Sequence, residues 1–213
     1  MTLHATDGDL GRREQKKRET RARLVAVASD LFETQGYDAT SIEEIAEAAG
    51  ISRRTYFRYF PSKEDIAFPY REDRLERFDA LIQGGAADET GWQSVKRACL
   101  VMAGDFMRER EMVIRLERIV ASHAALRAAS REYDRGWEQA IQHGIARDAS
   151  GDETTERAAR LTAGALMGLV RATLDYWVEH DGEPNLIEIA HEVFELIERG
   201  GLATYPHFTE RSS

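Results

Sequence analysis

Residues 40–60 constrain the fold of this chain more than any other stretch. Thr40 and Ser41 offer N-cap oxygens, and Glu43 and Glu44 follow three residues later, so either pair forms a capping box. Ile42, Ile45, Ala46 and Ala49 then make one short apolar face, and Gly50 breaks the helix. Ser52 is placed to cap a second helix, which Pro61 stops. A short helix, a glycine turn and another short helix match a helix-turn-helix, a motif whose second helix enters the DNA major groove.

The flanks also read as helical. Leu24, Ala28, Leu31 and Phe32 fall at helical spacing within a helix from Arg12 to Gln35, and Gly36 suits its left-handed cap. Residues 1–11 are polar, carry no period and read as a flexible arm. Ser62 with Asp65 resembles a further capping box, predicting a helix from Lys63 to Gln83. GGAADET at 84–90 is the clearest loop, and helices are expected over 91–108, 111–122, 124–148, 153–181 and 185–199. No strand alternation interrupts them. The predicted class is all-α: an arm (1–11), a helix-turn-helix domain (12–62) and a C-terminal helical domain (63–213).

Charge points to the partner. The 213 residues carry a net charge of −9, which alone argues against nucleic acid. The distribution argues for it. Residues 12–23 hold seven bases and two acids, and residues 53–63 hold four bases and no acid, whereas 66–213 hold 26 acids against 18 bases. Two basic N-terminal segments on an acidic body suggest a local polyanion site.

On the second short helix Tyr56 and Phe60 share the buried side with Ile51. Arg53, Arg54, Thr55, Phe57, Arg58 and Tyr59 are left for the groove or its rim. Arginine grips guanine O6 and N7 bidentately, and a threonine methyl touches thymine. Thr40, Ser41 and Lys63, read at helix N-termini, are expected at phosphates, and Lys17 and Arg21 add attraction from the first helix.

At these residues the chain resembles the tetracycline-repressor (TetR) family of one-component bacterial regulators. The stretch Leu31–Ile66 supplies Gly36, Ser41-Ile42, Ile45-Ala46, Ala49-Gly50-Ile51-Ser52, the aromatic run Tyr56 to Phe60, and Lys63. Phe57 stands where that family commonly has a phosphate-binding tyrosine, and it has no hydroxyl to donate. The wording FRYFPSKEDI further resembles the branch of mycofactocin-cluster regulators. The resemblance implies a homodimer with about nine helices per chain. It also implies an operator-binding head and a bundle that holds a small-molecule effector, usually releasing a repressor from a palindromic operator.

Within the bundle, Leu186, Ile189, Ala190, Val193, Phe194 and Ile197 form an apolar stripe, and Leu169, Thr173 and Tyr176 share a face of the preceding helix. These suit a two-fold four-helix interface, with Leu169, Thr173, Tyr176, Ile189, Val193, Phe194 and Ile197 as its residues, although the same spacing also packs a protomer's own core. Met102, Phe106, Trp137 and Met167 suit a largely apolar effector pocket or ordinary core. Arg115 and Arg171, set in apolar runs, call for an acidic effector or an internal acid.

Other functions find little support. His191-Glu192 lacks the second histidine of a zinc motif, because Glu195 stands there, and the remaining histidines are scattered. No nucleophile elbow, phosphate loop or dinucleotide fingerprint is present, so neither metal, cofactor nor catalysis is expected. Cys99 is the sole cysteine and reads as core. No apolar run reaches the ~18 residues that cross a bilayer, and the N-terminus lacks a signal peptide's apolar stretch, so a cytoplasmic protein is expected. Two alternatives to an effector-controlled regulator stay open: a DNA-architectural protein, and a helical-bundle enzyme acting on an anionic substrate.

Overall fold

The computed structural model describes residues 7–148 and 151–199, with side chains from residue 12 onward. Among the described residues there are nine helices and no strand: α1 Asp7–Gln35, α2 Ile42–Ala48, α3 Arg53–Tyr59, α4 Arg71–Gln83, α5 Gly91–Arg108, α6 Arg110–Ser122, α7 Ala124–Ala146, α8 Glu153–Glu179 and α9 Leu186–Glu198. They fall into two compact units. The first runs to Pro69 and takes in Arg118–Arg127; the second comprises Tyr70–Glu117 and the chain from Ala128 onward.

Local chemistry explains the small helices of the first unit. Ser41 caps α2 in a full capping box: its hydroxyl accepts from Glu44 N–H at 3.2 Å, and the Glu44 carboxylate accepts from Ser41 N–H at 2.7 Å. Ser52 caps α3, accepting from Thr55 N–H at 3.1 Å. Between them Gly50 sits at φ +67° and Gly36, before α2, at φ +90°. No atom crowds either glycine, so the left-handed backbone alone demands the residue. Leu24, Val25, Ala28 and Phe32 of α1, Ile45 and Ala46 of α2, Tyr56 of α3 and Phe60 at its C-cap are buried in this unit, with Ile119 and Val120 from the end of α6 and Leu126 from the start of α7.

Two expectations change. α1 starts at Asp7, inside the stretch read as an arm: no proline interrupts it, and elongating a helix already formed proceeds in spite of Gly8 and Gly11. Residues 1–6 lie outside the described set. The helix expected from Lys63 begins only at Arg71. The Ser62–Asp65 capping contact does form, with Asp65 N–H donating to Ser62 Oγ at 3.1 Å. Beyond it the chain only turns: Ala67 N–H and Phe68 N–H reach just three residues back, to Glu64 and Asp65, and Pro69 has no N–H to continue.

In the second unit Phe78, Ile82, Val95, Ala98, Met102, Ala140, Ile141, Ala163, Leu166 and Phe194 form one core. Ala103, Val113, Ile114, Trp177 and Leu186 form a second. Trp177 is fully buried, and its indole N–H donates to the Pro184 carbonyl at 3.0 Å, which closes the α8–α9 turn.

Candidate functional site

α3 is pinned from beneath and open above. Tyr56 and Phe60 are buried, and the Tyr56 hydroxyl donates to the Ser62 carbonyl at 3.0 Å; burial pushes that phenol up, so it stays a neutral donor. The opposite face carries Arg53, Arg54, Phe57 and Arg58, all exposed, with Thr55 and Tyr59 half-buried beside them. Phe57 is 41% exposed, and the Arg53 guanidinium lies 5.5 Å from its ring centroid. Arg58 lies 5.4 Å from the Tyr59 ring. Arg53 also pairs with Glu43 of α2 at 2.7 Å; both are exposed, so the pair is weak and a phosphate or base can displace it. The Thr55 hydroxyl stands 2.9 Å from Ser52 Oγ, within the cap.

Three residues expected at phosphates are committed elsewhere. Thr40 is buried, and its hydroxyl donates to the Gly36 carbonyl at 2.8 Å, closing the turn into α2. Lys63 starts no helix. Its ammonium donates to the carbonyls of Tyr37 at 2.7 Å and Thr40 at 2.9 Å and lies 4.3 Å from the Tyr37 ring centroid. Arg21 donates to the Pro69 carbonyl and stacks 5.0 Å from the Phe60 ring centroid. These cations brace the head from within, because carbonyls left open by turns attract any long base within reach. Ser41 remains half-exposed, and Lys17 is exposed.

Sequence reasoning missed His123. Its Nε2 stands 2.9 Å from the Asp38 carboxylate, and its ring lies 4.8 Å from that of Tyr37, beside Lys63. Burial, followed by the nearby Glu64, Asp38 and Asp65 charges, pushes the Tyr37 phenol up to about 12. No periodic signal marks a histidine at a helix–helix turn.

In the second unit Met102 is buried, and Phe106, Trp137 and Met167 pack against the same core. Trp137 lies 4.9 Å from Phe78. Arg171 pairs with an internal acid, Asp134 of α7. Arg115 is half-buried on α6. Sequence reasoning also missed Glu117 and Arg74. Burial raises the pKa of Glu117, opposed by Arg74, reinforced by Asp175 and opposed again by Arg171. Arg74 pairs with Glu109 at 2.9 Å and lies 4.8 Å from the Phe106 ring centroid. Charged and apolar groups therefore meet at Phe106. Burial lifts the Cys99 thiol to about 12, which leaves it inert. Among the described residues no cluster suits a metal ion, and no helix is long and apolar enough to cross a membrane.

The faces expected at a two-fold interface divide. Phe194 is 2% exposed and packs at 5.5 Å on Trp92 of its own protomer, so it is a core residue. Leu169, Thr173, Ile189, Val193 and Ile197 are half-buried, while Tyr176 is 47% exposed. Leu161 of α8, not singled out from the sequence, is 68% exposed.

Comparison with known proteins bears on most of the chain. Residues 24–68 match the family model described as bacterial regulatory proteins, tetR family, and residues 89–202 match the model described as the MftR C-terminal domain. The Mycobacterium tuberculosis protein MftR, named for regulating mycofactocin biosynthesis, is 28% identical, with 82% of this chain and 87% of that one aligned. The transcriptional regulator AcrR of Shigella flexneri is 30% identical, over 74% and 79% of the two chains. The fold also matches the crystal structure of the regulator FadR from Bacillus subtilis in complex with stearoyl-CoA, with a TM-score of 0.61 at 20% identity, covering 83% of this chain and 96% of that one.

Proposed function

This chain belongs to the TetR family of bacterial transcriptional regulators, with a C-terminal domain of the MftR type, and from that premise we propose a homodimeric repressor that a small molecule releases from a palindromic operator. The observation that carries the reading is α3: an exposed row of Arg53, Arg54, Phe57 and Arg58 held over a buried Tyr56 and Phe60. Arg53 and Arg54 read base edges or the groove rim, and Ser41, Tyr59 and Lys17 hold the backbone. The protein works in the cytoplasm, where its DNA is, and as a regulator rather than an enzyme.

Dimerisation rests on α8 and α9. Leu161 and Tyr176 are large, apolar and exposed on α8, and Ala165, Gly168 and Ala172 between them are small. Such a strip on a monomer wants a partner, and a second copy supplies an identical strip under two-fold symmetry.

The effector enters the bundle of the second unit. Met102, Phe106, Trp137 and Met167 favour an apolar body, and Arg74, Arg171 and Glu117 favour a polar end. FadR, which shares the fold, was crystallised with stearoyl-CoA, and a long-chain acyl thioester fits both features here. DNA fragments selected by the purified protein from its source genome identify the operator, and stearoyl-CoA is then titrated into the complex. Release at saturating thioester, with a raised melting temperature of free protein, is expected. Operator binding without any ligand-induced melting shift across an acyl-chain series would favour an architectural protein.

A further inference from the structure

Two acids lie side by side in the first turn of α2, and the fold uses them differently. The Glu44 carboxylate is committed within its own helix, where it accepts from the Ser41 N–H and the Ser41 hydroxyl, both at 2.7 Å. Glu43 takes no part in that cap. Its Oε1 lies 2.7 Å from Nη1 of Arg53, across the turn on α3. The same guanidinium lies 5.5 Å from the ring centroid of Phe57, one turn farther along α3. A carboxylate from one helix and a ring from the other thus bound an arginine on the exposed face of α3.

The carboxylate occupies only part of the guanidinium. Arginine grips a two-acceptor partner best along its Nε–Nη2 edge, where two N–H groups lie parallel. Arg97 shows the mode within this chain, binding Glu89 through Nε at 2.8 Å and Nη2 at 2.9 Å. On Arg53 the acid sits at Nη1 instead, and among the described residues no group hydrogen-bonds to Nε or Nη2. The edge that matches guanine O6 and N7 stays open while the guanidinium is held.

This geometry discriminates. In water the exposed pair is weak, but a phosphate or wrong base that displaces it leaves Glu43 unpaired beside a polyanion. Guanine takes the open edge and leaves the pair intact. Docked DNA also excludes water from the pair, and the lower dielectric strengthens it.

We propose that Glu43 is a positioning residue for Arg53: with Phe57 it aims the Nε–Nη2 edge at guanine and so sets the preference at one base pair of each half-site. The proposal rests on the reading of α3 as the recognition helix of a DNA-binding regulator. It adds the base that is read and the acid that selects it.

The test uses the full-length protein and the variants Arg53→Ala, Glu43→Ala and the double substitution. Selection from randomised duplexes by wild type and Arg53→Ala locates the base pair that Arg53 reads, as the position where preference disappears. Guanine is expected there. Affinities are then measured on four duplexes that differ only at that pair. Wild type should favour guanine by about tenfold or more. Glu43→Ala should lose about fivefold of that preference, since its bidentate contact is no longer aimed. Its affinity for random DNA should nevertheless match or exceed that of wild type, because a negative charge beside the phosphates is gone. The double variant should lose no more preference than Arg53→Ala alone, as expected of two residues acting through one contact.

Full guanine preference in Glu43→Ala overturns the proposal, whatever its overall affinity. So does an Arg53→Ala variant that selects the wild-type sequence, or a position that prefers another base. A lowered melting temperature of Glu43→Ala, with equal loss on all four duplexes, would mark a merely structural acid and also overturn it. Wild-type protein that selects no DNA at all would remove the regulator reading itself, a result distinct from the others.

Discussion

The imidazole of His123, on the turn between α6 and α7, lies 4.8 Å from the ring of Tyr37, on the turn between α1 and α2, with the planes tilted by 50°. Tyr37 also carries the Lys63 ammonium, 4.3 Å from its ring centroid, and Asp38 next to it meets His123 Nε2. All four residues belong to the first unit, and the helices on either side of His123 continue along the chain into residues of the second. α6 and α7, which meet at His123, are one covalent route by which an effector bound in the second unit would bias the head.

His123→Ala should lower the ratio of operator affinities without and with effector by about fivefold, the equivalent of one aromatic contact of about 1 kcal/mol. Effector affinity of the free protein should hardly change. His123→Phe keeps the ring and should recover most of the ratio. Fluorescence titrations of a labelled operator, with and without stearoyl-CoA, measure it; an unchanged ratio in the alanine variant would separate the stack from the switch.

Lys63→Met should destabilise the head by about 1–3 kcal/mol, because it strips a charged donor from the Tyr37 and Thr40 carbonyls. The melting temperature should fall by several degrees. The salt slope of operator binding should stay the same, since the ammonium points into the fold. A slope flatter by ~0.9 would return Lys63 to the phosphates.

Arg54→Ala should relax base choice at one operator position by about 1–3 kcal/mol while leaving the melting curve in place. Arg54 is exposed on α3. Selection of randomised operators by wild type and variant reads the change directly; identical selected sequences would exclude Arg54 from base readout.

Leu161→Asp combined with Tyr176→Asp should give a folded monomer that binds operator weakly. Phe194→Ala should instead cost about 3–5 kcal/mol of stability, because Phe194 fills the protomer's own core against Trp92. Light scattering and circular dichroism separate the outcomes. A stable dimer from the double variant would place the interface elsewhere.

Glu117 makes stability depend on pH. Its folded pKa lies above that of an unfolded glutamate, chiefly through burial, so the native state holds the proton longer. Stability is then greatest below the unfolded value and falls as pH rises through the window up to the raised folded value. Glu117→Gln should remove that loss and raise the melting temperature above the window. Melts across about pH 4–8 test it; equal pH slopes in both proteins would show that Glu117 is already charged in the fold.

The helices were legible in the sequence because their signals act within four residues. Ser41 with Glu44, the left-handed Gly36 and Gly50, Ser52, and the loop at 84–90 each set a boundary by a hydrogen bond or a backbone angle close by. The exposed face of α3 followed from the same period, once Tyr56 and Phe60 were assigned inward. Long side chains behaved otherwise. Lys63 reaches a carbonyl 26 residues away, and Arg21 one 48 residues away. Thr40 was drawn into the turn it ends, Phe194 into its own core, and His123 onto Tyr37. Position on a helix decides which way such a group leaves the backbone. Its partner is whichever open carbonyl, carboxylate or ring the packing of distant segments brings within reach, and that is a property of the folded chain alone.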